Sequence, residues 1–178
     1  PRGANAGAPT TKTIVIDQSG ILDTRTTSAA PGNILIDGGT TGIVQQSGVV
    51  TTANPQGVGG AITLLGDQIG LMSGSNLNGS GSTGGGTILI GGNWQGQGPE
   101  HNASAVYMDS AATIGSNATI RGNGGQVVLW SDDYTGFYGQ IHAQGGSLGG
   151  NGGQVETSSH DNLQAMGSVN VAAPLGTS

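Results

Sequence analysis

GGQVVLWSDDYTGFYGQIHAQGG, residues 124–146, decides how the rest of the chain is read. Two glycines open it, and a short strand follows in which Val127 and Leu129 alternate with other residues. A polar bend at 131–133 leads to a second strand through Phe137 and Tyr138. A third short strand, 139–143, runs into another glycine pair. The same phrase returns in looser wording along most of the chain, which is the mark of a solenoid.

Similar strands read TIVID from Thr13 and, after a glycine pair or a Pro-Gly, NILID from Asn33, AITLL from Ala61, TILIG from Thr87, QVVLW from Gln126 and QVETS from Gln154. Their second residues are Ile14, Ile34, Ile62, Ile88, Val127 and Val155, all β-branched. Their fourth are Ile16, Ile36, Leu64, Ile90, Leu129 and Thr157. Between them lie Val15, Leu35, Thr63, Leu89, Val128 and Glu156, a column that admits polar residues. Side chains on a strand alternate faces, so the second and fourth columns point inward and the third outward. Stacked in register, the inward columns form aliphatic ladders and hence a core.

A further strand recurs 13 residues after Ala61, Gln126 and Gln154, as GSNLNGS from Gly74, GQIHAQG from Gly139 and GSVNVAA from Gly167. The aligned strand starts lie 20, 28, 26, 39 and 28 residues apart. Turns of that length with three short strands predict an all-β fold, a right-handed parallel β-helix of about six coils. The 39-residue interval holds NWQGQGPEHNASA, residues 93–105, whose Gly, Pro and Asn predict a loop excursion, with the phrase resuming at Gly115. Residues 1–12 read as a lead-in or arm, and 13–178 as a single solenoid domain. Neither end carries a polar cap, and 174–178 reads as the start of another turn. The chain is therefore expected to be a piece of a longer solenoid or a subunit that stacks.

Composition agrees with this reading. Among 178 residues there are 37 Gly, no Cys, 8% charged and 3% aromatic residues. Glycine without a three-residue period excludes collagen, and the spaced aliphatic residues argue against disorder. The glycines read as corner residues, where positive φ or close backbone approach is needed. Net charge is −6, and the cations are Lys12, Arg2, Arg25 and Arg121. So few cations cannot neutralise a phosphate backbone or hold an anionic bilayer, so neither nucleic acid nor membrane insertion is expected. No apolar run reaches membrane-spanning length, and the absence of cysteine suits an extracellular bacterial protein.

The stretch GDQIGLMSGSNLNGSGSTGGGTILIGGNWQGQG (66–98), with ATIRGNGGQVVLWSDDYTGFYGQIHAQGG and GNGGQVETSSHDNL, resembles the late β-helix coils of filamentous-haemagglutinin-like two-partner-secretion exoproteins. The resemblance covers about 33–174. It implies a right-handed parallel β-helix, export through an outer-membrane partner of a Gram-negative bacterium, and adhesive or surface-matrix roles at the outer cell surface. It brings no catalytic residues, and the chain departs from such proteins in lacking their amino-terminal secretion domain.

The aromatic residues fall in two clusters, and Trp94, Tyr107, Trp130, Tyr134 and Tyr138 are candidates either for glycan contact or for packing under the loop. Trp130 and Phe137 suit the second role, as plugs of the coil or cover for its flank. Asn78, Asn102 and Asn117 each open an N-x-S/T sequon, a possible glycosylation site. Asp132, Asp133, Asp109, Asp161 and Glu156 are the acids a carbohydrate-active β-helix would need, but they sit mostly at bends, where Asp supports turns. His101, His142 and His160 lack metal-ligand spacing, so no metal or cofactor is expected. The sequence thus predicts a structural, non-enzymatic solenoid of a secreted adhesin or filament. It joins copies end to end or continues into neighbouring coils of a longer chain, with surface glycans as possible ligands. The alternative is a carbohydrate-binding or carbohydrate-active β-helix.

Overall fold

The computed structural model describes residues 12–178. The lead-in expected at 1–12 therefore lies, Lys12 apart, outside the described residues. The strands come in threes. β1 (Thr13–Ile16), β2 (Ile21–Asp23) and β3 (Asn33–Asp37) form one turn, and β4 (Ile43–Gln46), β5 (Val49–Thr51) and β6 (Ala61–Leu65) the next. Then follow β7 (Gln68–Leu71), β8 (Asn76–Asn78) and β9 (Thr87–Ile90), and β10 (Ala105–Met108), β11 (Thr113–Gly115) and β12 (Gln126–Ser131). Finally come β13 (Tyr134–Phe137), β14 (Gln140–His142) and β15 (Gln154–Ser159), and a sixth turn begun by β16 (Asn162–Ala165) and β17 (Ser168–Asn170).

Corresponding strands of successive turns pair in parallel and build three sheets. Sheet A is β3-β6-β9-β12-β15, sheet B is β1-β4-β7-β10-β13-β16 and sheet C is β2-β5-β8-β11-β14-β17. The architecture is a parallel β-solenoid of about six turns. Among the described residues no helix is long and apolar enough to cross a membrane.

The inward ladders expected from the sequence are continuous in sheet A. Ile34, Ile62, Ile88, Val127 and Val155 lie in register, as do Ile36, Leu64, Ile90, Leu129 and Thr157. Sheet B adds Ile14, Val44, Ile69, Val106, Thr135 and Leu163, and sheet C adds Leu22, Val50, Leu77, Ile114, Ile141 and Val169. The aliphatic members of these ladders interlock in one hydrophobic core, apart from Leu163 and Val169 on the last turn, which are exposed. Gln46 sits inside it, fully buried, and its hydrogen bonds are met locally. Its Nε2 donates to the Gly48 carbonyl at 2.7 Å, and its Oε1 accepts from the Ser75 hydroxyl. A buried amide without such partners would be strongly destabilising.

Three expectations need correction. TIVID is not a sheet A strand: Thr13 pairs with Ile43, in sheet B. Every inward strand shows the same period of two, so alternation cannot say which of three faces a strand belongs to. The short 20-residue interval was the misplaced strand. Second, the coil resumes at Ala105 with β10, not at Gly115, so the excursion runs 91–104. Third, the middle column of sheet A faces outward, yet Leu89 and Val128 in it are buried, whereas Leu35 is exposed.

The excursion is the cause of that burial. It forms a strap over the outer face of sheet A. At one end the Gln95 amide donates to Glu156 Oε2 on β15 at 2.9 Å. At the other end His101 Nε2 meets Asp37 Oδ1 on β3 at 3.3 Å. These two anchors stand on the first and last strands of the sheet, so the strap spans all five rungs.

Glycine matters most at the corner entering sheet A. Gly32, Gly60, Gly86, Gly125 and Gly153 each precede one of its strands. A Cβ on Gly60 would lie 1.9 Å from the Gly32 carbonyl oxygen, one on Gly86 2.0 Å from that of Gly60, and one on Gly125 2.1 Å from that of Gly86. The next amide donates to the same carbonyl, as Gln126 does to Gly86 at 2.9 Å. None of these glycines has positive φ. Close approach between rungs, rather than a left-handed turn, is what excludes a side chain here.

Candidate functional site

The aromatic candidates separate onto two faces of the solenoid, and the sequons Asn78 and Asn117 lie in or beside strands of sheet C. Trp94, Trp130 and Asn102 belong to the strap and the strand beneath it, whereas Tyr107, Tyr134 and Tyr138 stand on the outer face of sheet B.

Under the strap, Asn93 caps a 3-10 turn at Trp94–Gly96. Its Oδ1 accepts from the Trp94 amide at 2.7 Å and its Nδ2 donates to Glu100 Oε2 at 2.7 Å. Glycine carries the chain over the Trp130 ring: a Cβ on Gly96 would lie 2.5 Å from the indole, and one on Gly92 2.8 Å. Both have positive φ, 66° and 156°. The Trp130 Nε1 donates to Asp132 Oδ1 at 3.3 Å, and Asn102 Nδ2 donates to the same oxygen at 3.0 Å and to the Gly96 carbonyl at 3.3 Å. Trp130 is thus the packing anchor of the strap, and Phe137 is a core residue. Of the three sequons, Asn102 has its amide nitrogen engaged. Asn78 and Asn117 use their Oδ1 atoms instead, accepting from the Ser80 amide at 2.9 Å and the Gln144 amide at 2.8 Å.

The tyrosines make a different arrangement. Gln45, Gly70, Tyr107, Gly136 and Gln164 lie in register on the outward side of sheet B, so a glycine stands on either side of Tyr107. The Tyr134 and Tyr138 rings close over Gly136, where a Cβ would meet them at 2.7–3.1 Å. Their hydroxyls are 3.2 Å apart, and both donate to Gln164 Oε1. The Tyr107 and Tyr138 ring centroids are 5.6 Å apart at 48°. The Tyr107 hydroxyl donates to Asp109 Oδ2 at 3.5 Å. Desolvation and then the Asp109 charge push the Tyr107 phenol above its ordinary pKa. The hydrogen bond between the Tyr134 and Tyr138 hydroxyls and then desolvation do the same for Tyr134.

On the other side of Tyr107, above Gly70, the surface opens into a cleft of about 180 Å³. Gly70, Met72, Gln45 and Gln164 were not singled out from the sequence. Their neighbourhood depends on residues 25–37 apart falling into register, which no local motif announces.

The acids do not converge. Asp17, Asp23, Asp37 and Asp109 each accept the amide of the residue two further on and so close a turn. The Ser19 hydroxyl and amide hold the Asp17 carboxyl below the usual range, and the Arg25 guanidinium does so for Asp23. Among the described residues no three His, Cys, Asp or Glu side chains gather as metal ligands would. His160 meets its neighbour Asp161 at 2.8 Å, and His142 closes β14 on sheet C.

No family model matches the sequence, and no curated protein is similar to it at a significant level. Among solved structures, the HMW1 secretion domain from Haemophilus influenzae superimposes with a TM-score of 0.75 and 28% identity over 88% of this chain. The chain spans 42% of that domain's length. The similarity falls on a secretion domain, whereas the sequence resemblance implied later coils without one. The chain is therefore similar to the secretion domain of a two-partner-secretion exoprotein, and its solenoid fits the filamentous-haemagglutinin-like β-helix.

Proposed function

We propose that this chain is a structural, non-enzymatic β-solenoid of a secreted bacterial exoprotein, displayed at the cell surface as part of an adhesin or filament. The observation that carries the reading is the rim formed by β15, β16 and β17. Leu163 and Val169 continue inward ladders whose preceding rungs, Thr135 and Ile141, are fully buried, yet they are 47% and 46% exposed. The corner that precedes each sheet A strand is already begun again beyond β17. The Gly152 amide donates to the Thr177 carbonyl at 2.7 Å, as the Gly124 amide does to that of Asn151 at 2.9 Å. Such a rim offers unpaired strand edges and apolar positions in the right register for a further coil. In the proposed role that coil comes from a second copy stacked end to end or from neighbouring sequence of a longer chain. The secretion-domain neighbour supports export.

Sedimentation and electron microscopy across a concentration series test the stacking. Rods that lengthen in steps of about 30 Å, roughly six rungs at ~4.8 Å each, support it. Dispersed single particles at high concentration count against self-assembly and leave a longer chain as the source of the next coil. Incubation with acidic and neutral polysaccharides tests the non-enzymatic reading, since new reducing ends or unsaturated products would overturn it.

A further inference from the structure

The geometry points to a binding site for one neutral pyranose ring of a glycan in the cleft beside Tyr107 on sheet B. This goes beyond the scaffold role and does not depend on it.

Three features of the cleft argue for that ligand. The first is an aromatic wall held in advance. Tyr107 is 37% exposed, with its ring propped against Tyr138 at 5.6 Å and its hydroxyl tied to Asp109. A ring fixed in this way loses little conformational entropy when a ligand stacks on it, and the C–H face of a sugar is the apolar surface that suits an aromatic face. The second is the floor. Gly70 is paired with Tyr107 in the next rung, and with no side chain of its own it leaves a furrow along the ring, floored by the flexible Met72 thioether that lies over it and lined by Ile43. At about 180 Å³ the furrow is smaller than the ~300 Å³ at which drug-sized pockets begin, which leaves room for one ring. The third is the polar complement. Gln45 and Gln68 line the same cleft, and each amide offers donors and an acceptor suited to sugar hydroxyls.

No lining residue is charged, and the Asp109 carboxylate bonded to Tyr107 would repel an acidic sugar, so the class is a neutral hexopyranose. The larger groove on sheet C, about 540 Å³, contains the Asp23–Arg25 ion pair and no aromatic side chain, so it offers no stacking surface. Trp130, the aromatic side chain beneath the strap, is committed to holding it.

Saturation-transfer NMR with methyl β-galactoside, methyl β-glucoside and methyl α-mannoside tests the site. At least one is expected to show saturation strongest at its ring C–H protons. Tyr107→Ala removes the wall and Gly70→Val fills the floor, and each is expected to weaken binding at least tenfold, about 1.4 kcal/mol. Tyr107→Phe keeps the stacking face and is expected to retain binding. Gly70→Val is the variant least exposed to misfolding, because a Cβ there meets only the flexible Met72 side chain, at 2.9 and 3.9 Å. Circular dichroism of each variant verifies the fold. The proposal is overturned if none of the three binds, if sialic acid methyl glycoside alone binds, or if folded Tyr107→Ala and Gly70→Val bind as the parent does. Sedimentation of the same samples reads the stacking separately, so failure of one proposal does not decide the other.

Discussion

Leu35 and Leu89 occupy the same outward column of sheet A, two rungs apart, and alternation of side chains makes them equivalent. Their surroundings make them different: Leu89 lies on the central strand beneath the strap, whereas Leu35 lies on the edge strand where the strap ends, and they are 7% and 45% exposed. Truncation to Ala removes three carbon atoms from each, about 2.4 kcal/mol of transfer free energy at ~0.8 kcal/mol per buried group. At Leu89 nearly all of that is lost and a cavity is left beneath the strap, so Leu89→Ala is expected to cost about 3 kcal/mol. At Leu35 roughly half the transfer term applies and no cavity forms, so Leu35→Ala is expected to cost about 1 kcal/mol. For a chain of this size each kcal/mol lowers Tm by about 2–4 °C, so the losses are about 6–12 °C and about 2–4 °C respectively. Urea unfolding followed by circular dichroism measures both in one host. If the two costs agree within about 0.5 kcal/mol, the strap does not seal the outer face of sheet A and the account of Leu89 and Val128 fails.

Two further perturbations probe other parts of the structure. Gly86→Ala places a Cβ 2.0 Å from the Gly60 carbonyl, backbone against backbone, and is expected to destabilise by about 1–3 kcal/mol as an overpacking change. Gly84→Ala, where the nearest atom is a Val58 methyl at 3.4 Å, is expected to stay within about 0.5 kcal/mol of the parent in the same denaturation assay. Alkaline titration reads the tyrosine cluster. Because Tyr107 and Tyr134 ionise above the ordinary value in the folded state, their contribution to stability is intact below about pH 10 and is lost as pH rises through their folded-state values. Tyrosinate absorbance should therefore develop at higher pH in the native protein than in denaturant, and coincident curves would contradict the packing of the cluster.

The resemblance stated from 66–98 and the GGQV phrases pointed to the same family of exoproteins that the structural comparison finds, although the matching solved structure is a secretion domain. The resemblance was legible because glycine corners and inward aliphatic residues recur at the spacing of one turn. The candidate site was only partly legible. The order of residues showed that six aromatic residues fall in two clusters, but not that Trp130 lies under glycines of the strap while Tyr107 faces solvent beside Gly70.

By itself the sequence determined the kind of object this is. Side chains alternating in short strands, repeated at nearly constant intervals, can bury their apolar half only by stacking turn upon turn, so Ile34, Ile62 and Ile88 had to meet. Tertiary structure alone decided which face each strand joins, which outward residues are covered and which exposed ring has an open floor beside it. TIVID reads like NILID yet belongs to another sheet, and Leu35 reads like Leu89 yet lacks its cover. Such differences depend on contacts between residues tens of positions apart, and a local pattern of period two carries no information about them.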